Sequence, residues 1–329
     1  MTERKSAAEI RKGEQRVMIL SEADVERFIA PRALLDGLRE GFRQVARGEV
    51  QLPPRPEISV PGKGFMLSMP AWRAGGPMMV KMVNVFEGNL ELDLPNHLAT
   101  IVLFDEATGA TRCIMDGTYI TGVRTAASAV VSVEVLARED ARVATIVGAG
   151  VQGREHLGLL PLVRDFDRIY VTSLEHEDAV RLAATCPVAE AVEDVEGAVR
   201  ASDVVCLASH SYAPVIDSGW VREGTHVSSV GYAPPQGELP VELIRRGRLF
   251  VEDRCAFEPV PVGCAELAGL NPDRGTVLGE ALLRSDRPRR DPREITVYKA
   301  MGIAMEDLVA ARLAYDGAVA AGHGTAAVF

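Results

Sequence analysis

Two hydrophobic rhythms run along the chain, and the change from one to the other divides it. In "RALLDGLREGFRQVARGEV" apolar residues recur every three or four positions, which predicts an amphipathic helix closed by the turn "LPPRP". The runs "FMLSMPAW", "MMVKMVNVF", "HLATIVLFD" and "TRCIMD" then read as strands. The turn signals "AGG", "EGN" and "EATGA" separate them, so this is an antiparallel-leaning α+β unit. From about Arg142 short β-type runs alternate with helical stretches. The predicted strands are "RVATIVG", "RIYVTS", "VAEAV", "DVVCLAS", "THVSSVG" and "RLFVED", with "QGREHLGLLPLV", "HEDAVRLAA" and "VEGAVRA" as helices between the early ones. Such alternation predicts an α/β, doubly wound parallel sheet of Rossmann type, and six strands complete its usual order. The segment "VYKAMGIAMEDLVAARLAYDGAVAAG" reads as one long helix with no sheet partner nearby. It is expected to return to the first unit, which is therefore discontinuous: residues 16–126 plus 300–329, around a Rossmann unit at 127–299.

Composition adds exclusions. A formal charge of −10 over 329 residues argues against a nucleic-acid or anionic-membrane partner, which needs a basic face. No apolar run is read as approaching the roughly 18 residues of a membrane span. The opening "MTERKSAAEIRKGEQR" is polar, is not a secretory signal, and is read as a mobile tail. Five cysteines without a C-x-x-C pair, and six histidines without ligand spacing, predict neither a disulfide framework nor a metal site. The expected location is the reduced cytoplasm. The charged loop "LLRSDRPRRDPREI" reads as solvated surface.

The stretch "ATIVGAGVQGREHL" carries the most specific motif. Gly148, Gly150 and Gly153 follow a strand and open a helix, the context in which G-x-G-x-x-G admits a pyrophosphate to a helix N-terminus. Val151 and Gln152 complete the loop. Ser173 stands at the tip of the second strand, where the adenosine ribose is read, and serves either cofactor. Between Arg168 and Arg181 there is no Arg or Lys, and Glu175 and Glu177 would repel a 2′-phosphate, so the reading leans to NAD and leaves NADP open.

Three cations precede this loop: Arg55 after "PP", Lys81 inside an apolar strand, and Arg124 before "TAAS". A lysine in such a strand is costly without an anion, and arginine suits a carboxylate. Each alone reads first as a structural ion-pair partner; together they suggest a pocket for an anionic substrate.

"PPR", "VKMVNVFEGNLELDLPNH", "FDEATGATRCIMDGTYITGVRTAAS", "VGAGVQGREHL" and "VYKAMGIAMEDLVAA" resemble, in order, the blocks of the ornithine cyclodeaminase/μ-crystallin family. The resemblance implies a homodimer whose N-terminal part and C-terminal helix form the substrate and dimerisation domain. It implies that Arg55, Lys81 and Arg124 hold a substrate carboxylate, with Thr125 beside the cofactor and Gly148, Gly150, Val151 and Gln152 at its pyrophosphate. The reactions it implies share hydride transfer between a nicotinamide and a carbon bearing nitrogen next to a carboxylate. In "SSVGYAPPQGEL" Tyr232 and Ala233 occupy the region where cyclodeaminases carry an Asp, and no carboxylate appears before Glu238. Asn96 stands where Thr is common, and His97 reads as either a cofactor contact or a structural residue. The expectation is an NAD(P)H-dependent reductase of imines of small 2-oxo acids, with Lys81 as proton donor. A cyclodeaminase and a cofactor-binding protein of crystallin type are the alternatives. Met66, Met69 and Trp72 read as either pocket or core.

Overall fold

The computed structural model describes residues 15–284 and 288–328. The leader read as a mobile tail lies outside them except for its last two residues, as do three residues of the charged loop. The first unit supplies strands β1 (Arg16–Leu20), β2 (Val50–Gln51), β3 (Glu57–Val60), β4 (Gly64–Arg73), β5 (Met78–Val85), β6 (His97–Phe104) and β7 (Thr111–Asp116). The second supplies β8 (Val143–Val147), β9 (Arg168–Thr172), β10 (Ala189–Ala191), β11 (Val204–Leu207), β12 (His226–Ser229), β13 (Arg248–Val251), β14 (Gly275–Val277) and β15 (Thr296–Lys299), before β16 (Thr325–Val328). Helices are α1 (Glu22–Phe28), α2 (Pro31–Ala46), α3 (Thr118–Leu136), α4 (Val151–Leu159), α5 (His176–Ala183), α6 (Val195–Ala201), α7 (Val241–Arg246), α8 (Leu278–Leu283) and α9 (Ala304–Ala320).

The first sheet runs β16-β1-β7-β6-β5-β4-β2, with β3 also on β4. Its centre, β4 to β7, is antiparallel as the turn signals require, while β1 joins β7 in parallel. The second sheet is parallel throughout and runs β10-β9-β8-β11-β12-β15-β13-β14. The α/β Rossmann expectation is therefore met, but with eight strands instead of the six read from the sequence: β14 and β15 were not predicted. "TVYK", read as the start of the long helix, is β15, and it lies between β12 and β13 with all four residues buried. Its β-branched and aromatic residues favour a strand, and Gly302 at φ +77° breaks the chain before α9 begins at Ala304.

Helix α3 joins the two units, and the 126/127 boundary read from the sequence falls inside it. It packs on α1, α2, α9 and β6 near its start, and on α4, β12 and β15 along its length. Its Ala126, Ala127, Ala129 and Val130 are fully buried. Contrary to the sequence reading, α3 is long and apolar enough to cross a membrane: 19 residues, with a mean hydropathy of 1.2. Burial of 72% of that stretch within the protein accounts for its composition, as the central helix of a shared core. Thr, Ser, Gly and Arg124 spaced through it hid the pattern.

Candidate active site

Lys81 sits at the centre of β5, with Met69 opposite it on β4 and Ile101 opposite on β6. The face these three share turns inward onto α3 and α9. Met69 is thus both core and wall of the lysine's surroundings, while the alternation of β4 puts Met66 and Trp72 on its other face. The ammonium is fully buried, and a lone charge there would be prohibitive. Asp307 on α9 compensates it, with Oδ1 2.8 Å from Nζ; Thr121 Oγ1 on α3 is 3.4 Å away. Burial and then the neighbouring Arg124 pull the lysine's pKa from 10.5 to about 8, against the opposing pull of Asp307 and Glu306.

Arg124 donates from Nε to the same Asp307 Oδ1 at 3.0 Å and from Nη1 to Glu306 Oε2 at 2.7 Å. Burial acts against its charge, but Asp307, Glu306 and Glu252 outweigh it and hold the guanidinium above its ordinary range. Glu252, at the end of β13, accepts from Ser128 Oγ, which also bonds Tyr298, and from the amides of Met301 and Gly302. Burial and Glu252 push Glu306 well above the carboxylate range.

Asp307 and Glu306 were missed in the sequence, although the signal was present. A lysine in an apolar strand demands an anion, and "MED" puts an acidic pair in the first turn of a mostly apolar helix. Arg55 lies apart from the other two cations. Its guanidinium rests on the backbone carbonyls of Pro261, Val262, Met301 and Gly302, at 2.6 to 3.4 Å, and all four are neutral groups. Tyr232 donates to the same Pro261 carbonyl. The 301–302 turn therefore separates Arg55 from Arg124. A Cβ at Gly302 would lie 2.2 Å from Arg124 Nη1, at a positive φ. Gly302→Ala is accordingly expected to displace Arg124, lowering turnover by about a hundredfold or more while cofactor affinity, read by fluorescence titration, stays within about twofold.

The glycine loop fits a dinucleotide. Gly148 has φ +118°, and a Cβ there would meet the Ala208 carbonyl at 2.4 Å. A Cβ at Gly153 would meet the Gly148 carbonyl at 2.0 Å, so α4 packs tightly on the loop, whereas Gly150 faces open space. Gly150 is the N-cap of α4 and supplies no side-chain acceptor, leaving the helix's first amides free to hold an anion. Val151 is exposed there, and Gln152 Nε2 donates to the Gly122 carbonyl of α3. Thr125, one turn on, bonds back to the Thr121 carbonyl. One turn of α3 thus carries the glycine loop on one side and the charged cluster on the other. Ser173 is half-buried after β9, followed by the fully solvated Leu174 and the exposed Glu175.

Glu238, the first carboxylate after the Tyr232–Ala233 turn, is fully committed: it is buried, and it accepts from the amides of Ser209, Val230 and Gly231 and from the hydroxyls of Ser209 and Ser229. It organises the loops at the ends of β11 and β12 and is not placed to act as a base. Among the described residues, buried side-chain atoms left without a partner include Asp307 Oδ2, Glu306 Oε1, Gln152 Oε1 and Arg55 Nε, all on residues of the charged cluster, the glycine-loop helix or Arg55. No group of three metal-ligating side chains is found among them, and all five cysteines are free. A cavity of about 1000 Å³ lies at the opposite end of α3, lined in part by Arg138, Arg164 and Arg289. There Arg164 and Arg289 donate to the carbonyls of Glu134 and Leu136, so these cations cap a helix C-terminus.

Residues 15–322 match the ornithine cyclodeaminase/mu-crystallin family. Ketimine reductase mu-crystallin of Mus musculus is 32% identical over 86% of this chain and 90% of its own length. The structure of Thermococcus litoralis Δ(1)-pyrroline-2-carboxylate reductase in complex with NADH and L-proline superposes with a TM-score of 0.87 at 32% identity, covering 94% of this chain and 99% of that one. An archaeal alanine dehydrogenase dimer with bound NAD gives 0.88 at 28%, covering 95% and 99%.

Proposed function

The chain belongs to the ornithine cyclodeaminase/mu-crystallin family, and on that premise we propose that it is an NAD-dependent reductase of imines of small 2-oxo acids. The same chemistry run backwards is an amino-acid dehydrogenase. The observation that carries this reading is the meeting, across one turn of α3, of an uncapped glycine-loop helix with a buried lysine whose pKa suits proton exchange. Gly148, Gly150, Val151, Gln152 and Gly153 hold the pyrophosphate, Ser173 the ribose, and Thr125 and Tyr232 border the nicotinamide end. When bound, NADH supplies the hydride.

The substrate carboxylate is held by Arg55 and Arg124, with Lys81 beside it. Arg55 leads, because its partners are neutral carbonyls while the other two cations already face carboxylates of their own chain. Lys81 has three N–H donors, of which Asp307 and Thr121 take two. The third protonates the imine nitrogen as the carbon is reduced. With Glu238 committed and no carboxylate at Tyr232–Ala233, the base expected there for ring-closing deamination is lacking, which favours reduction over cyclodeamination. The protein acts as a homodimer in the cytoplasm, its substrate and dimerisation unit built from 16–126 with 300–329 and its cofactor unit from 127–299.

Loss of NADH absorbance with pyruvate, glyoxylate or oxaloacetate, each with excess methylamine, tests the function. Amine-dependent oxidation is expected; no oxidation with any pair would refute it for these substrates. NADH is expected to be preferred over NADPH by about tenfold or more, since a 2′-phosphate would lie against Glu175. Leu174→Arg, at a fully solvated position, is expected to narrow that preference in the ratio of kcat/KM values.

A further inference from the structure

A second buried cluster of charges lies outside the proton-transfer site. Lys299, the last residue of β15, is fully buried, and its ammonium donates to Glu266 Oε1 at 2.8 Å, to the Gly231 carbonyl at 2.6 Å and to Ser229 Oγ at 3.1 Å. Ser229 accepts from Lys299, so its own proton goes on to Glu238 Oε1, 2.9 Å away. All five groups bonded to Glu238 are donors, the pattern of an ionised carboxylate. Burial opposes the lysine's charge, but Glu266 and Glu238 outweigh it and hold the ammonium above its ordinary range. One cation therefore balances one of two buried carboxylates, and a single negative charge is left over. The turn between the carboxylates closes on both. A Cβ at Gly231 would lie 2.6 Å from Glu238 Cδ, and one at Gly237, where φ is +79°, would lie 2.1 Å from Glu266 Oε1.

Its place in the sheet gives that charge a use. Gly148, the Ala208–Ser209 pair, the Gly231 turn and Lys299 stand at the carboxyl ends of β8, β11, β12 and β15, which are neighbours in that order. In a doubly wound sheet the dinucleotide lies across these ends, to either side of the point where the strand order reverses. Ser173 follows β9 on one side of β8, the adenosine side, so the nicotinamide half lies over β11 and β12 on the other. β12 is two strand spacings from β8, about 10 Å. The Ala208 carbonyl packs on Gly148, and the next residue, Ser209, gives both its amide and its hydroxyl to Glu238. Glu238 and Glu266 are buried, so their field reaches the cleft with far less screening than that of a surface charge. Arg55 shares the Pro261 carbonyl with Tyr232, but its counter-ion is the substrate carboxylate, which leaves the excess unbalanced.

NAD⁺ and NADH differ at this end by one positive charge on the ring. We propose that the excess negative charge of Glu238 and Glu266 favours NAD⁺ over NADH in the cleft, and so makes bound NADH a stronger hydride donor. This rests on the nicotinamide reading of the site and adds to it two residues that act through their field alone. The test is the ratio of the dissociation constants of NAD⁺ and NADH, from NADH fluorescence and its displacement by NAD⁺ at fixed salt. Both forms carry the same pyrophosphate and adenosine, so damage to the fold weakens both alike and leaves the ratio unmoved. Glu266→Gln keeps an oxygen for Lys299 and frees that cation to balance Glu238. The ratio is then expected to rise by about fivefold or more. Glu238→Gln removes the same charge and is expected to raise it likewise. Glu242→Gln, at an exposed position, is expected to leave it within about twofold. A ratio unmoved in both buried variants, or moved as far by Glu242→Gln, overturns the proposal while the nicotinamide reading stands. If the wild-type protein binds neither form, that reading fails and the proposal fails with it.

Discussion

Lys81→Met should reduce imine turnover by about a thousandfold or more, the range of a lost proton donor, with NADH affinity unchanged. Methionine replaces the aliphatic stem and fills the space between Met69 and Ile101, so the change removes the charge and little else. Asp307 then keeps Arg124 Nε at 3.0 Å, which limits the loss of stability. The wild-type pH profile carries the same signature. Lys81 gives up its proton at about 8, so kcat/KM should be flat below that pH and fall above it by about tenfold per unit. The stability contribution has the opposite slope. The unfolded lysine binds its proton more tightly, so this group's penalty is present below about 8 and is relieved as pH rises toward 10.5. A flat profile across pH 8 in the wild type, or a surviving limb in the Met variant, would remove Lys81 from the proton transfer.

Asp307→Asn carries the second large effect. One oxygen of Asp307 faces both Lys81 and Arg124, and none of the three side chains is more than slightly exposed. Neutralising it leaves two buried cations with Glu306, itself raised well above the carboxylate range, as their nearest anion. The expected cost is about 3–5 kcal/mol, read as a fall in Tm. The limb at pH 8 should also move to lower pH, because Asp307 opposes the burial and the Arg124 field that depress Lys81. Asp307→Glu restores the charge and should return the limb part of the way. A variant with lower Tm but an unmoved limb would reduce Asp307 to a structural partner.

Much of this was legible in the sequence. Period-two runs marked β4 to β7, and the Gly148 loop was recognisable because a strand precedes it and a helix follows. β15 was not legible: four residues are too few to show a period, and the Ala and Met after them extend the helical pattern. Lys81 and Arg124 stood out as charges in apolar surroundings, but their partners lie 226 and 182 to 183 residues away, a pairing that only the packing of α9 on α3 and β5 creates.

The most direct measurement follows the hydride. The protein would be incubated with pyruvate, methylamine and NADH carrying deuterium at the transferable C4 position, and the product examined by mass spectrometry and NMR. Expected is N-methylalanine with one deuteron on the α-carbon. Lactate as the deuterated product, or ammonia released from ornithine with the label retained in the cofactor, would contradict reduction of a carboxylate-bearing C=N carbon.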